Sequence, residues 1–238
     1  MVQHTGEMTT NKIWRVAVLG AKGRMGSEAV RAVNTAADMD LVAALGSADP
    51  LTKLLDVKAD VIIDLTVPTA TEANVRFAVE HGIHAVVGTT GWDEERLSSL
   101  KQLLGEHPGV GVLIAPNFAI GSILATEFAA KAARYFESAE IIEIHHPNKV
   151  DAPSGTAAHT ARKVAAAREA AGVGASPDAT ETDPLGSRGA KIDGISVHAV
   201  RLRGMVAHQE ILLGDTGQLL TIRHDSFDRA SFMPGVLL

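Results

Sequence analysis

Two imidazoles, an ammonium and a helix start fall close together in Glu140-Ile-Ile-Glu-Ile-His-His-Pro-Asn-Lys-Val-Asp-Ala-Pro-Ser-Gly-Thr-Ala157. An imidazole titrates near neutrality, so His145 is a candidate acid or base. Lys149 can donate a proton or hold a developing anion as a fixed charge. Pro147 stops the strand that delivers His145 and His146, and Ser154 is placed to cap the next helix. Gly155 has no side chain, so a ligand can approach the backbone N–H groups at that helix start. The chemistry implied is capture of a carboxylate or phosphate beside a proton-transfer pair. A His-His pair at a strand end is by itself often structural or solvated, and the whole cluster is more specific than the pair. A metal would want more ligands, and Asp151 is the only nearby candidate, so no metal centre is expected.

A second cluster lies near the start of the chain. Gly20-Ala-Lys-Gly-Arg-Met-Gly26 is G-x-x-G-x-x-G, directly after an apolar run and opening a helix. In such a loop the first glycine allows the tight turn, the second lets backbone approach a pyrophosphate, and the third lets helix pack on strand. A glycine-rich turn without a ligand is the plain alternative. The usual ribose signal is an acid at the end of the second strand. Here that place reads Leu45-Gly46-Ser47, with Asp49 slightly late. Without an acid there, a 2′-phosphate is not repelled, and Lys22 and Arg24 offer it positive charge, although both serve equally well as solvated loop cations. The loop leans toward NADPH and leaves NADH open.

The elements that must position these clusters are legible from periodicity. Strands are expected over Ile13–Leu19, Met39–Leu45, Val61–Leu65, Ala85–Val87 and Val110–Ile114. Helices are expected over Met25–Ala36, Thr71–His81 and Trp92–Leu104. That alternation predicts βαβ units and a parallel, doubly wound sheet. Beyond residue 115 the pattern changes. Helices are expected over Ser122–Tyr135 and Thr156–Ala170, and a strand over Ala139–Ile144. Residues 171–190 read as a long loop. Ile195–Arg201, Gln209–Leu213 and Leu219–His224 read as three strands of an antiparallel meander. The expected fold class is α/β, with an N-terminal Rossmann domain followed by an α+β domain.

The 238 residues are 46% hydrophobic with a net charge of −6, enough apolar material for full cores and no basic stripe for nucleic acid. No apolar run is long enough to span a bilayer. The absence of cysteine excludes disulfides and thiolate metal sites and fits a reducing compartment, so a cytoplasmic location is expected. Residues 1–11 read as a frayed leader, with Met8 as an alternative start. The closing Phe232-Met-Pro-Gly-Val-Leu-Leu238 reads like the first turn of a helix that should continue.

Taken together, the motifs resemble the dihydrodipicolinate reductase family. His145-His-Pro-Asn-Lys149-Val-Asp-Ala-Pro-Ser-Gly-Thr156 matches its H-H-x-x-K-x-D-x-P-S-G-T signature, Gly88-Thr-Thr-Gly91 its second cofactor loop, and Ala115-Pro-Asn-Phe118 its hinge segment against the nicotinamide. The resemblance runs from about Ile13 to the last residue. It implies reduction of 4-hydroxy-tetrahydrodipicolinate, in lysine and diaminopimelate synthesis, with NADPH or NADH as cofactor. It implies His145 as acid/base and Lys149 as proton donor, with His146, Ser154, Gly155 and Thr156 at the substrate carboxylates. The cofactor would be lined by Gly20, Ala21, Lys22, Gly23, Arg24, Met25, Gly88, Thr89, Thr90, Ala115, Pro116, Asn117 and Phe118. A Rossmann domain of residues 12–117 and 230–238, a substrate and tetramerisation domain of 118–229, hinges near Asn117–Ile120 and Ser226–Ala230, and a homotetramer are likewise implied. Gly46 departs from relatives that carry an acid on the adenosine ribose. Two rival readings are a related two-domain semialdehyde or imine dehydrogenase, which does not need the His-His-x-x-Lys turn, and a non-catalytic NADP sensor, which does not need a titratable His and Lys.

Overall fold

A computed structural model describes residues 12–238. The N-terminal stretch 1–11, with its alternative start at Met8, lies outside the described residues. The chain divides into two compact units, one running to Ala115 and the other covering Pro116–Val236.

The first unit contains β1 (Trp14–Leu19), α1 (Arg24–Thr35), β2 (Met39–Leu45), α2 (Lys53–Asp56), β3 (Val61–Asp64), α3 (Thr71–Glu80), β4 (His84–Val87), α4 (Glu94–Glu106) and β5 (Val112–Ile114). Its strands form one parallel sheet in the order β2-β1-β3-β4-β5. The central strands are buried on both faces, which is why Val16–Leu19 and Ile62–Asp64 are continuous buried runs rather than alternating ones. Leu19, Leu54, Ile62, Val75 and Val79 lie at the centre of the core. The strand order reverses between β1 and β3, and ligands of open α/β sheets sit outside the carboxyl ends of strands at that point. Element ends differ from the expected ones by one or two residues, the usual uncertainty of a helix or strand terminus. The short α2 was not expected: it is a single turn, too short for periodicity to register.

The second unit contains α5 (Ile120–Ala133), β6 (Ser138–His145), α6 (Gly155–Ala170), β7 (Ala190–Ile192), β8 (Ile195–Arg201), β9 (Ala207–Asp215), β10 (Gln218–Ser226), a 3₁₀ turn at Arg229–Phe232 and α7 (Met233–Leu237). Its sheet has the order β10-β9-β6-β8-β7. The expected meander is corrected here. Of its three strands only β9 and β10 pair with each other, while β8 runs parallel to β6 on its far side. Alternation marks which residues face a core but carries no information on which strand lies alongside. The two neighbours of β6 therefore come from both sides of the Leu202–Val206 connection. A second hairpin was also missed. β7 meets β8 through Asp193-Gly194, both at positive φ, and Asp-Gly is a preferred two-residue turn of this kind.

Small residues let α5 and α6 pack closely on this sheet: Ala125, Ala129, Ala133, Ala157 and Ala161 meet Ile141, Val197, Ile211 and Leu213. Residues 230–236 group with this second unit. The reason is local. Met233 and Val236 are buried, and Gly235 lies so close to Phe118 that a Cβ there would meet its carbonyl oxygen at 2.0 Å. Among the described residues no helix is long and apolar enough to cross a membrane.

Candidate active site

The period of a strand decides what β6 delivers. Ala139 and Ile141 point into the core beneath α5 and α6, so Glu143 and His145, two and four residues on, point to the same side at the strand's end. Neighbouring strands extend that face. Register places Arg201 of β8 beside His145, Gln209 of β9 beside Glu143, and His224 of β10 beside Gln209. A cleft of about 130 Å³ opens there, lined by His145, Ser154, Thr156, Gln209, His224 and Ser226 among others. Pro116 and Asn117, expected to line a cofactor, line this cleft and not the cleft of the first unit. Asn117 is pinned: its side chain donates to Ser122 Oγ at 3.0 Å and accepts from Ala119 N at 2.9 Å. Phe118 is buried, and Ala115 ends the first unit, its N–H bonded to Val87 O.

His145 donates from Nδ1 to Glu143 at 2.5 Å. Glu143 is fully buried, and Arg201 grips it with two bonds of 2.8 Å. Burial pushes the Glu143 carboxyl up, but its bonds to Arg201 and His145 outweigh that and hold it below the usual carboxylate range. For His145 burial is the largest influence and lowers its pKa. Glu143 works the other way, and the charges of Lys149 and Arg201 add to the lowering. Lys149 lies outside the cleft lining, its ammonium 2.6 Å from Asp151. Ser154 caps α6 as expected, its hydroxyl accepting from Ala157 N at 3.1 Å. Gly155 and His146 do not line the cleft. A Cβ on Gly155 would meet no atom within 4 Å, whereas Nδ1 of His146 is buried without a partner.

In the first unit a larger cleft, about 680 Å³, lies at the strand-order reversal. Gly20, Lys22, Gly23, Gly46, Asp49, Thr66 and Asn74 are among its walls. The three glycines behave differently. A Cβ on Gly26 would meet Gly20 O at 2.0 Å, and one on Gly20 would meet Leu65 O at 2.5 Å, so both close the packing. Gly23 meets only Gly20 O, at 3.1 Å, and starts α1 with neither a side-chain cap nor a first-turn acid. The N–H groups of that first turn, which includes Arg24 and Met25, are left for an anion, and the cradle fits a pyrophosphate. Ala21 anchors it by donating to Leu45 O. Gly46 carries no carboxylate, but the Asp49 side chain accepts from Gly46 N at 2.9 Å and from Lys53 at 2.6 Å. Asp49 lies past the end of β2, as its spacing predicts, and its carboxylate is spent on its own turn. Gly88, Thr89 and Thr90 lie outside this lining. Thr89 is buried and donates to Asp64 Oδ1 at 2.6 Å, so its hydroxyl fixes the loop, while Thr90 is exposed.

Sequence reading missed Glu143, Arg201, Gln209 and the buried Asp64. Glu143 had a signal, its two-residue spacing from His145. Arg201 had none, because its partner lies 58 residues earlier.

The family model described as dihydrodipicolinate reductase, N-terminus, matches residues 14–118, and that for the C-terminus matches residues 121–238. The 4-hydroxy-tetrahydrodipicolinate reductase of Streptomyces griseus is 61% identical over 94% of this chain and 90% of its own length. That of Mycobacterium sp. (strain KMS) is 55% identical over 94% and 91%. A dipicolinate-bound dihydrodipicolinate reductase from Paenisporosarcina sp. TG-14 superposes with a TM-score of 0.84 at 40% identity, covering 94% of this chain and 92% of the other. Both halves of the sequence match in order and at this identity, so the chain belongs to the dihydrodipicolinate reductase family.

Proposed function

We propose that the chain reduces 4-hydroxy-tetrahydrodipicolinate to tetrahydrodipicolinate with a nicotinamide cofactor, in lysine and diaminopimelate biosynthesis. The observation that carries this reading is the cleft at the end of β6. It sets a titratable imidazole against the capped N-terminus of α6, with a cation in the adjoining loop.

The cyclic substrate is a dicarboxylate. The N-terminus of α6 at Gly155 and Thr156, with His146, holds one carboxylate through backbone N–H groups and the helix dipole. Lys149 supplies the fixed charge for the developing anion. A reduced nicotinamide, when bound, would supply hydride to a ring carbon of the substrate once the 4-hydroxyl has left as water. The resulting enamine must gain a proton, and His145 and Lys149 are the groups that handle it.

In this reading the first unit binds the nucleotide, with Gly20 to Met25 around the pyrophosphate and Gly88 to Thr90 and Ala115 along the rest of the molecule. The lack of a side chain at Gly46 and the nearby Lys22 favour NADPH while leaving NADH usable: a Cβ on Gly46 would already touch Asp49 and Lys22, at 3.6 Å. The enzyme works in the cytoplasm as a homotetramer built on the sheet of the second unit.

Gly155→Ala is expected to fold normally, because the added methyl meets no protein atom, and to raise KM roughly tenfold by crowding the carboxylate, within the cost of one misplaced methyl group. Steady-state kinetics with thermal melting checks this, and an unchanged KM contradicts the placement. The reading as a whole is tested with dipicolinate, a planar dicarboxylate. It should bind the purified chain by calorimetry and compete with substrate. Absence of binding in the presence of cofactor would count against it.

A further inference from the structure

Glu143 is an ionised carboxylate, and a carboxylate in that state only accepts hydrogen bonds. All of its capacity is used. Oε1 accepts from Arg201 Nη2 at 2.8 Å and from Ser154 N at 3.0 Å. Oε2 accepts from Arg201 Nη1 at 2.8 Å and from His145 Nδ1 at 2.5 Å. With four donors on four lone-pair positions and a fully buried side chain, the carboxylate has one orientation. Since it cannot donate, the His145 nitrogen facing it must carry a hydrogen. The other ring nitrogen, Nε2, is then bare whenever the imidazole is neutral.

Arg201 reaches further. Its Nη2 also donates to the Asp151 carbonyl at 2.7 Å, and the Asp151 side chain holds Lys149. The Leu202 N–H, next in the chain, donates to His145 O at 2.9 Å. The Arg201–Glu143 pair therefore ties together β6, the start of α6 and the turn that carries the ammonium.

We propose that Glu143, clamped by Arg201, is a positioning residue of the reaction. It fixes His145 as the Nδ1–H tautomer, so that Nε2 is the atom presented to substrate, and it sets His145 and the α6 N-terminus in one frame. The proposal rests on the reductase reading for its kinetics and on the geometry alone for the tautomer.

The charged and titratable groups around His145 are Glu143 on its own strand, Arg201 on β8, Lys149 and Asp151 in the following turn, and His208 and His224 on β9 and β10. Burial, Lys149 and Arg201 lower the His145 pKa, while Glu143 raises it. In Glu143→Gln the raising partner is lost, and the His145 limb of the kcat/KM profile must move to lower pH.

Two measurements decide the matter. Nitrogen-detected NMR of the unmodified chain, with labelled histidine, should show neutral His145 protonated on Nδ1. An Nε2–H tautomer, or an even mixture, overturns the proposal without any variant having to fold. Glu143→Gln should lower kcat/KM roughly 30-fold, a fraction of the 10²–10⁴ that a positioned acid or base contributes, with the limb displaced toward acid. Unchanged kinetics, or loss of rate with the limb unmoved, overturns the proposal. If the unmodified chain fails to reduce the substrate, the reductase reading falls, and the tautomer measurement still judges Glu143 by itself.

Discussion

Replacing Lys149 by alanine is expected to lower kcat/KM by about 10³, within the range lost when a positioned proton donor or charge stabiliser is removed. The ammonium is held by Asp151 at 2.6 Å, with its side chain only 21% exposed, so it is poised rather than freely solvated. Its charge is also one of the influences that lower the His145 pKa, so the variant's acid limb should rise. Lys149→Arg separates the two roles assigned to this residue. A guanidinium keeps the charge but cannot give up its proton. Recovery of most of the rate would make Lys149 a fixed charge, and rates as low as in Lys149→Ala would make it the donor. On the proposed placement of the nucleotide at Gly20 to Met25, its binding should be unchanged in both variants, since that loop belongs to the other compact unit. Full turnover in Lys149→Ala would remove it from the chemistry.

The second large effect concerns stability. Arg201→Ala leaves a fully buried carboxylate with only a histidine and a backbone amide as partners. Breaking a buried pair from one side costs about 3–5 kcal/mol, and because Arg201 is 21% exposed we expect the lower end, about 3 kcal/mol. That corresponds to a fall of roughly 10 °C in Tm for a protein of this size. The effect should depend on pH in a defined direction. In the native protein Glu143 titrates below its ordinary value, so its contribution is present above the unfolded-state pKa and is lost as pH falls through the folded value. Without the guanidinium, burial dominates and raises that pKa, so the carboxyl can take up a proton. The gap between native and variant should therefore be widest near pH 7.5 and narrow toward pH 5. Urea unfolding at both values checks this, and a gap that is constant or widens in acid contradicts the assignment.

How much of this was legible beforehand differs between the two units. The doubly wound sheet follows from buried β-branched runs punctuated by helices, and Gly20, Gly23 and Gly26 mark the turn into α1 because tight packing leaves room for no other residue at the first and last. The His145–Thr156 turn was legible because its chemistry is contiguous: a strand end, a proline, a lysine and a capping serine follow one another. What the sequence concealed is long-range. The guanidinium of Arg201 meets Glu143 only because β8 pairs parallel to β6, and that pairing was misread as a meander. Gln209 and His224 reach the same face through β9 and β10, which nothing in their local pattern distinguishes from ordinary sheet residues. Asp49 falls slightly late for the ribose position, and its side chain folds back onto the Gly46 amide, a contact set by the turn and not by spacing.

The central claim is the reaction itself. Purified protein mixed with freshly generated 4-hydroxy-tetrahydrodipicolinate should oxidise NADPH, and NADH at a comparable or lower rate, with absorbance loss that stops when substrate is exhausted. No oxidation of either cofactor, with nucleotide binding demonstrated separately on the same preparation, would contradict the reductase assignment.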